Sequence, residues 1–266
     1  MATTTVHLSK GTNPVRRRVA VLCVLVCSLG VFASGGLAQE PAKRTIAILD
    51  FNNNSIVDRE RLEPLSKGLA DILITEISAI DAFRVVERDK LREVVMELEF
   101  GQSELVDPST AQKMGKLLGA QNLLFGGFVH SSGDNIRIDV RIVEVETGRT
   151  IKAVEQRGEL DELFELVEEL SADITEFFAV ELTAADRKRQ SERAHAESFD
   201  ATLTYSQAID YEDLARQYEA QGKIDQAKAM YGKALEVLSK TLSASPDFKD
   251  AAKKAETIRT HLKRLE

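Results

Sequence analysis

Between residues 136 and 142 the side chains alternate without a break. Ile136, Ile138, Val140 and Ile142 are apolar, and Arg137, Asp139 and Arg141 between them are charged. A period of two over this length dictates a strand with one face on a core and one in water, the habit of antiparallel sheets. Such a strand needs neighbours and a covering layer. Residues 122–129 are strand-like, and Ser131-Ser132-Gly133-Asp134-Asn135 joins them to it as a turn. Thr147-Gly148-Arg149 is a second tight turn, leading into a third strand over 150–159. The cover follows at once. Leu163, Phe164, Val167, Leu170, Ile174, Phe177 and Phe178 share one face of a helix that Asp161 can cap.

The chain before the meander alternates strand and helix signals. Residues 45–51 form a short apolar run consistent with a buried strand, closed by Asn52, Asn53, Asn54 and Ser55. Pro64 suits the first turn of a helix, and Leu65, Leu69, Ile72, Leu73, Ile77 and Ile80 recur at helical spacing. Residues 83–86 are a second strand. Asp89 can cap a helix carrying Leu91, Val94, Val95 and Leu98. Asp107-Pro108 reads as N-cap and first helical residue of another, with Ala111, Met114, Leu117 and Leu118 on its apolar face and Gly119 at its end. Residues 44–183 therefore predict a two-layer α/β (α+β) domain, a mixed sheet with packed helices. Residues 184–200, rich in Arg, Lys and Glu, read as a solvated helical linker. Residues 201–266 predict an all-α region, and removing them is expected to leave the α/β domain folded.

The first 38 residues look like an export signal. Arg16, Arg17 and Arg18 precede an uncharged apolar stretch over 19–33, and Gly36-Leu37-Ala38 suits cleavage after Ala38. Retention as an anchor is the alternative, although the stretch is short for a membrane span. Both cysteines, Cys23 and Cys27, lie within this stretch, preceded by Leu22 and Val26. That disfavours lipidation, which needs a small residue before the cysteine. A processed chain would have no thiol chemistry. The whole chain carries a formal charge of −8. The signal holds four basic residues and no acidic one, so the mature part is more acidic still. Such a chain, lacking a basic stripe, is a poor nucleic-acid binder and is repelled by anionic lipid.

Three segments carry a family resemblance: Ile46-Ala47-Ile48-Leu49-Asp50-Phe51, Phe83-Arg84-Val85-Val86-Glu87-Arg88, and Ala111 through Gly127. With the hairpin and Thr147-Gly148 after them, they resemble the CsgG/HfaB family of curli and holdfast secretion components over about 45–180. They are also similar to FlgO, LpoB and TolB N-terminal domains. The resemblance implies an envelope domain that assembles with protein partners, itself included, and implies no catalytic residue. It leaves open a ring-forming export channel and an activator of a cell-wall synthase. The channel would need long barrel hairpins, yet the strands over 122–159 are already needed for the domain's own sheet.

The C-terminal region has its own signature. Tyr211, Leu214, Ala215, Tyr218, Gly222, Ala227, Tyr231 and Ala234 resemble one tetratricopeptide repeat, although its terminal Pro position is Ser239 and Pro246 comes later. Small residues would let two helices approach and tyrosines would fill the gaps. Helices around 186–207 and 248–265 are expected to complete the stack, because one repeat cannot bury its faces alone. An ordinary helical hairpin with no groove is the alternative.

Elsewhere the sequence holds no G-x-S-x-G, P-loop, G-x-G-x-x-G or H-E-x-x-H motif. His7, His130, His195 and His261 are scattered, with His130 read as a solvated turn residue. Asp50 is read as capping the loop after its strand. The expectation is a non-catalytic accessory protein of the periplasm or outer membrane. It would take protein partners, no cofactor, no metal, no nucleic acid and no small-molecule substrate, with any membrane association indirect.

Overall fold

The computed structural model describes residues 43–97, 108–191 and 198–265. The signal segment with Ala38 and both cysteines, Asp107 and His195 lie outside the described residues.

The chain enters through β1 (Arg44–Ile48), a two-residue β2 (Asn52–Asn53) and a single turn α1 (Arg59–Leu62). It continues through α2 (Leu65–Ser78), β3 (Phe83–Val85), α3 (Arg88–Glu97) and α4 (Pro108–Leu118). The meander is β4 (Asn122–His130), β5 (Asn135–Glu144) and β6 (Arg149–Glu159), and α5 (Leu163–Phe177) follows it. The sheet order is β3-β1-β4-β5-β6, with β2 paired to β4. β3, β1 and β4 are parallel, because α2 returns the chain from β1 to β3 and α3–α4 return it from β3 to β4. β4, β5 and β6 are antiparallel, as the short turns require. This is the mixed sheet with packed helices that the alternation predicts. Ile136, Ile138, Val140 and Ile142 are all buried on one face. The turn into α5 is held by a reciprocal capping box between Glu159 and Glu162, so Glu159 takes the capping role expected of Asp161.

Helices cover both faces of the parallel strands. Ile46 and Ile48 point to α2 and α5, whereas Ala47 and Leu49 point to Leu91 and Val94 of α3 and Met114 and Leu118 of α4. Leu117, expected beside them, is 44% exposed on the outer flank of α4.

Beyond the sheet lie α6 (Ala184–Ser191), α7 (Phe199–Ala220), α8 (Ile224–Ala244) and α9 (Lys249–Leu265). The first half of the expected linker is helical, with Ala184, Ala185, Arg187 and Lys188 exposed, but it docks through one buried side chain. Asp186 is 2% exposed. It accepts hydrogen bonds from the Thr183 N–H at 2.8 Å and from the Asp81 N–H at 3.1 Å, and Arg189 Nε donates to the Ala79 carbonyl at 2.7 Å. α6 is thereby anchored to the loop after α2.

α7 also departs from expectation. One helix of 22 residues replaces the separate helix anticipated around 186–207 and the first helix of the repeat. Ser198 caps it by accepting from the Ala201 N–H. Its first half crosses α2 where Gly68 lies against Ser206. A Cβ on Gly68 would sit 1.8 Å from Ser206 Oγ. Phe248, in the loop between α8 and α9, is fully buried between Phe164 of α5 and Tyr205 of α7, at centroid distances of 6.1 and 4.9 Å. Leu65, Leu69 and Leu73 of α2 therefore share one continuous apolar core with Tyr205, Ile209 and Ile258. The helices after residue 198 have no core separate from that of the α/β layer. Residues 201–266 thus cover apolar side chains of α2, which their removal would expose.

Candidate interaction site on the helical layer

The repeat-like residues assemble where α7 and α8 meet. Gly222 makes the turn between them at φ 72°, a conformation favouring glycine. Ala215, Ala227, Tyr231 and Ala234 are fully buried along the helix contact, and Tyr211, Leu214 and Tyr218 are half-buried at its margins. Lys233 and Lys223 lie over the rings of Tyr211 and Tyr218, at 5.6 and 5.8 Å. The buried Tyr231 donates its hydroxyl to Glu219 at 3.0 Å, and His261 Nε2 of α9 meets the same carboxylate oxygen at 2.8 Å. The repeat-like residues hold the helical pair together, and none of them borders the open groove. The open groove lies one helix over, between α7, α9 and the start of α3. It has a volume of about 700 Å³ and is bordered by Asp89, Arg216, Lys253, Thr257, His261 and Arg264. The repeat pattern gave no sign of it.

Under that groove runs a seam of charge that the sequence reading did not foresee. α2 presents Lys67 and Asp71 one turn apart, and α3 presents Arg88 and Arg92 likewise. α7 answers with Asp210, Glu212, Asp213 and Arg216, and α9 with Lys254. Lys67 Nζ lies 3.0 Å from Asp210 and 3.1 Å from Asp213. Arg92 Nη1 donates to Asp213 at 2.7 Å. Arg88 reaches Asp50 at 3.1 Å and Asp213 at 3.5 Å. Asp50 is thus an ion-pair partner and not a loop cap. Asp71 accepts from the Tyr205 hydroxyl at 2.5 Å and from Lys254 at 3.2 Å, and Lys254 also approaches Glu212 at 3.5 Å.

Burial pushes the Asp71 and Asp213 carboxyls up, but the neighbouring cations outweigh it. Lys254 and Arg88 around Asp71, and Arg88, Lys67 and Arg92 around Asp213, hold both below the usual carboxylate range. Burial lowers Lys254 and Arg88, and their carboxylate partners reverse it, so both are raised. Asp210 is raised, because burial and the nearby Asp213 and Asp50 outweigh Lys67. Burial, then Asp71, raises Tyr205 well above the ordinary phenol. Each interior charge is thus answered by another. Such a cluster fixes how the helical layer docks, since breaking one member leaves an uncompensated buried ion.

His130 is the last residue of β4 and 2% exposed, with Nδ1 3.0 Å from the Asn135 carbonyl across the hairpin turn. The solvated reading of it was wrong because the turn begins one residue later. Among the described residues, no cluster of three or more His, Cys, Asp or Glu side chains is placed to hold a metal. No described helix is long and apolar enough to cross a membrane.

Fold and site together define a scaffold class: a mixed α/β domain fused through a shared core and a buried ionic seam to a helical layer. Residues 31–130 match the family described as curli production assembly/transport component CsgG, so this segment is CsgG-like. The match ends with β4, short of the 45–180 span that the sequence resemblance suggested.

A curated relative, "Putative adenylate cyclase 3" of Rhizobium meliloti (strain 1021), is 25% identical over 173 residues. That alignment takes in 64% of this chain, which spans about a quarter (27%) of the relative's length. Among solved structures, the LpoB C-terminal domain from Salmonella enterica is similar at 19% identity and TM-score 0.33, over 46% of this chain and 87% of that one. Lipoprotein GNA1162 from Neisseria meningitidis is similar at 14% identity and TM-score 0.35, over 52% and 99%. The PelC dodecamer from Paraburkholderia phytofirmans is similar at 10% identity and TM-score 0.31, over 50% and 86%.

Proposed function

We propose that this protein is a non-catalytic accessory of the bacterial envelope, exported to the periplasm or outer membrane, where it binds other proteins. The observation that carries the reading is the CsgG match over β1 to β4, joined to a helical layer locked in place by the ionic seam. The strongly perturbed buried groups are engaged with one another: Asp71 with Lys254 and Tyr205, and Arg88 and Lys67 with Asp213. They support docking of the helices and expose no activated nucleophile or base. The docked layer holds the groove of Arg216, Lys253, His261 and Arg264 at a fixed position beside the sheet. Arg216, paired with Glu212 and Asp89, and His261, paired with Glu219, are already ordered and lose less freedom on binding, which favours recognition of a protein surface.

The test has two parts. The tagged chain, expressed in a Gram-negative host and fractionated, is expected in the periplasm or outer membrane with Gln39 as first residue by mass spectrometry. Cross-linking in that fraction should recover protein partners, and the groove variant K253E/R264E should lose them. Unprocessed protein confined to the cytosol would refute the reading, as would turnover of ATP to a cyclic nucleotide, which the name of the cyclase relative makes the first activity to assay. Ion conductance in liposomes would select the export-channel alternative. Stimulation of a purified peptidoglycan synthase would select the activator.

A further inference from the structure

The outer strand of the sheet lies beside a helix that carries charge of one sign. β6 spans 11 residues and, among the described residues, pairs only with β5. Its outer row of N–H and C=O groups therefore has no strand partner, along roughly 36 Å of chain. α5 folds back along the strand through the Glu159–Glu162 capping box. Gln156 Nε2 donates to Asp173 at 2.8 Å, and Lys152 Nζ sits 5.9 Å from the Phe177 ring. An open cleft of about 440 Å³ separates Lys152–Glu155 of the strand from Asp173, Glu176 and Phe177 of the helix.

α5 bears five carboxylates (Glu165, Glu168, Glu169, Asp173 and Glu176) and no basic residue. Glu165, Glu169 and Glu176 are exposed, and no ion pair engages them among the described residues. The spacing fits a strand. Residues four apart on a helix advance about 6 Å. Alternate residues of a strand advance about 6.7 Å. A strand laid against β6 would present every second side chain to α5, nearly in step with its carboxylates.

We propose that β6 accepts an added strand from a protein partner, an extended segment with Lys or Arg at alternate positions. The backbone edge supplies hydrogen bonds, and the α5 carboxylates select the basic side chains. A second copy of this chain fits the edge poorly. Antiparallel pairing of two β6 strands about a two-fold axis places both α5 helices on the same face, side by side, and their like charges repel. This surface is separate from the groove on α7 and α9, and the proposal stands or falls independently of it.

The probe is a fluorescent nonapeptide alternating Lys and Val, titrated against the full chain by anisotropy. Its controls are the same peptide N-methylated at alternate amides and a Glu/Val counterpart. Saturable binding is expected for the first and none for the controls. E165K/E169K/E176K should weaken binding at least about tenfold, and K253E/R264E should not change it. Hydrogen exchange on the wild-type chain should show β6 amides slowed by the peptide, a readout that does not depend on the variant folding. Equal binding of the N-methylated peptide would reduce the effect to loose charge attraction and overturn the proposal. Undiminished binding to the folded triple variant would also overturn it. Protection of β6 amides on raising protein concentration without peptide would do so too, in favour of a second copy.

Discussion

Two glycines in helices of this protein make opposite predictions for the same substitution. Gly68 in α2 and Gly232 in α8 both occupy helix interiors, where alanine is intrinsically favoured by about 1 kcal/mol. Around Gly232 nothing lies within 4 Å of a new Cβ, so Gly232→Ala should stabilise the chain by about 0.5–1 kcal/mol. At Gly68 the new Cβ would lie 1.8 Å from Ser206 Oγ, 2.6 Å from its Cβ and 3.3 Å from its Cα. The hydroxyl cannot simply turn away, because it is buried and donates to the Thr202 carbonyl at 2.8 Å. Even with it gone, the Cβ contact requires α2 and α7 to part by roughly 1 Å to reach carbon–carbon contact.

Overpacking of this kind costs about 1–3 kcal/mol and can exceed that. The strain at Gly68 therefore outweighs the propensity gain, and Gly68→Ala should destabilise. Urea titration read by circular dichroism gives the difference. A chain of this size shifts in Tm by about 2–4 °C per kcal/mol. Gly68→Ala should thus melt several degrees lower and Gly232→Ala about 2 °C higher. Adding Ser206→Gly to Gly68→Ala should restore part of the loss, since it removes the two nearest atoms. A Gly68→Ala chain as stable as wild type would mean that α2 and α7 do not pack as described.

Asp71→Ala leaves Lys254 and Arg88 facing each other without their shared carboxylate, and should cost about 3–5 kcal/mol in urea. Tyr205→Phe removes one hydrogen bond to a charged acceptor and should cost about 1.5–3 kcal/mol. Equal effects would mean that the cations are not buried against Asp71. Burial raises the Asp186 carboxyl, but its bonds from Thr183, Asp81 and Arg189 prevail and hold it at about 2. A depressed carboxylate contributes stability above its ordinary value of 3.8, and that contribution is lost as pH falls through about 2. Asp186→Asn should therefore lower the urea midpoint at pH 7 and differ much less from wild type near pH 2. An undiminished difference in acid would refute the assignment.

The sheet was legible because its signals are local. Four alternating residues fix which face of β5 is buried, and Gly148 with the residues beside it fixes the turn that brings β6 back. Pro64 marks the entry to α2 for the same reason: a fixed φ acts at its own position. The helical pair of α7 and α8 was legible from small residues at repeat spacing and from Gly222. What failed was the extent of α7. Its buried residues include Thr202, Ser206, Glu212 and Asp213 as well as Phe199, Tyr205 and Ile209. A helix sandwiched between α2 on one side and α8 and α9 on the other has no single apolar face, so periodicity could not trace it as one element.

The ionic seam was beyond sequence reading for a different reason. Arg92 and Asp213 are 121 residues apart, Tyr205 and Asp71 134, and Lys254 and Asp71 183. Taken singly, Lys67 with Asp71 and Arg88 with Arg92 are i,i+4 spacings on polar stripes, which ordinarily face water. Only the docking of α7 decides that they do not. That docking rests on apolar contacts that the sequence does show, such as Leu65 and Leu69 on α2 and the aromatic Tyr205 on α7, yet nothing local pairs one set with the other. Asp71 of α2, held by Arg88 of α3 and Lys254 of α9, reports on the relative placement of all three helices. The most informative charge of the molecule is therefore the one whose significance appears only once the helices are packed.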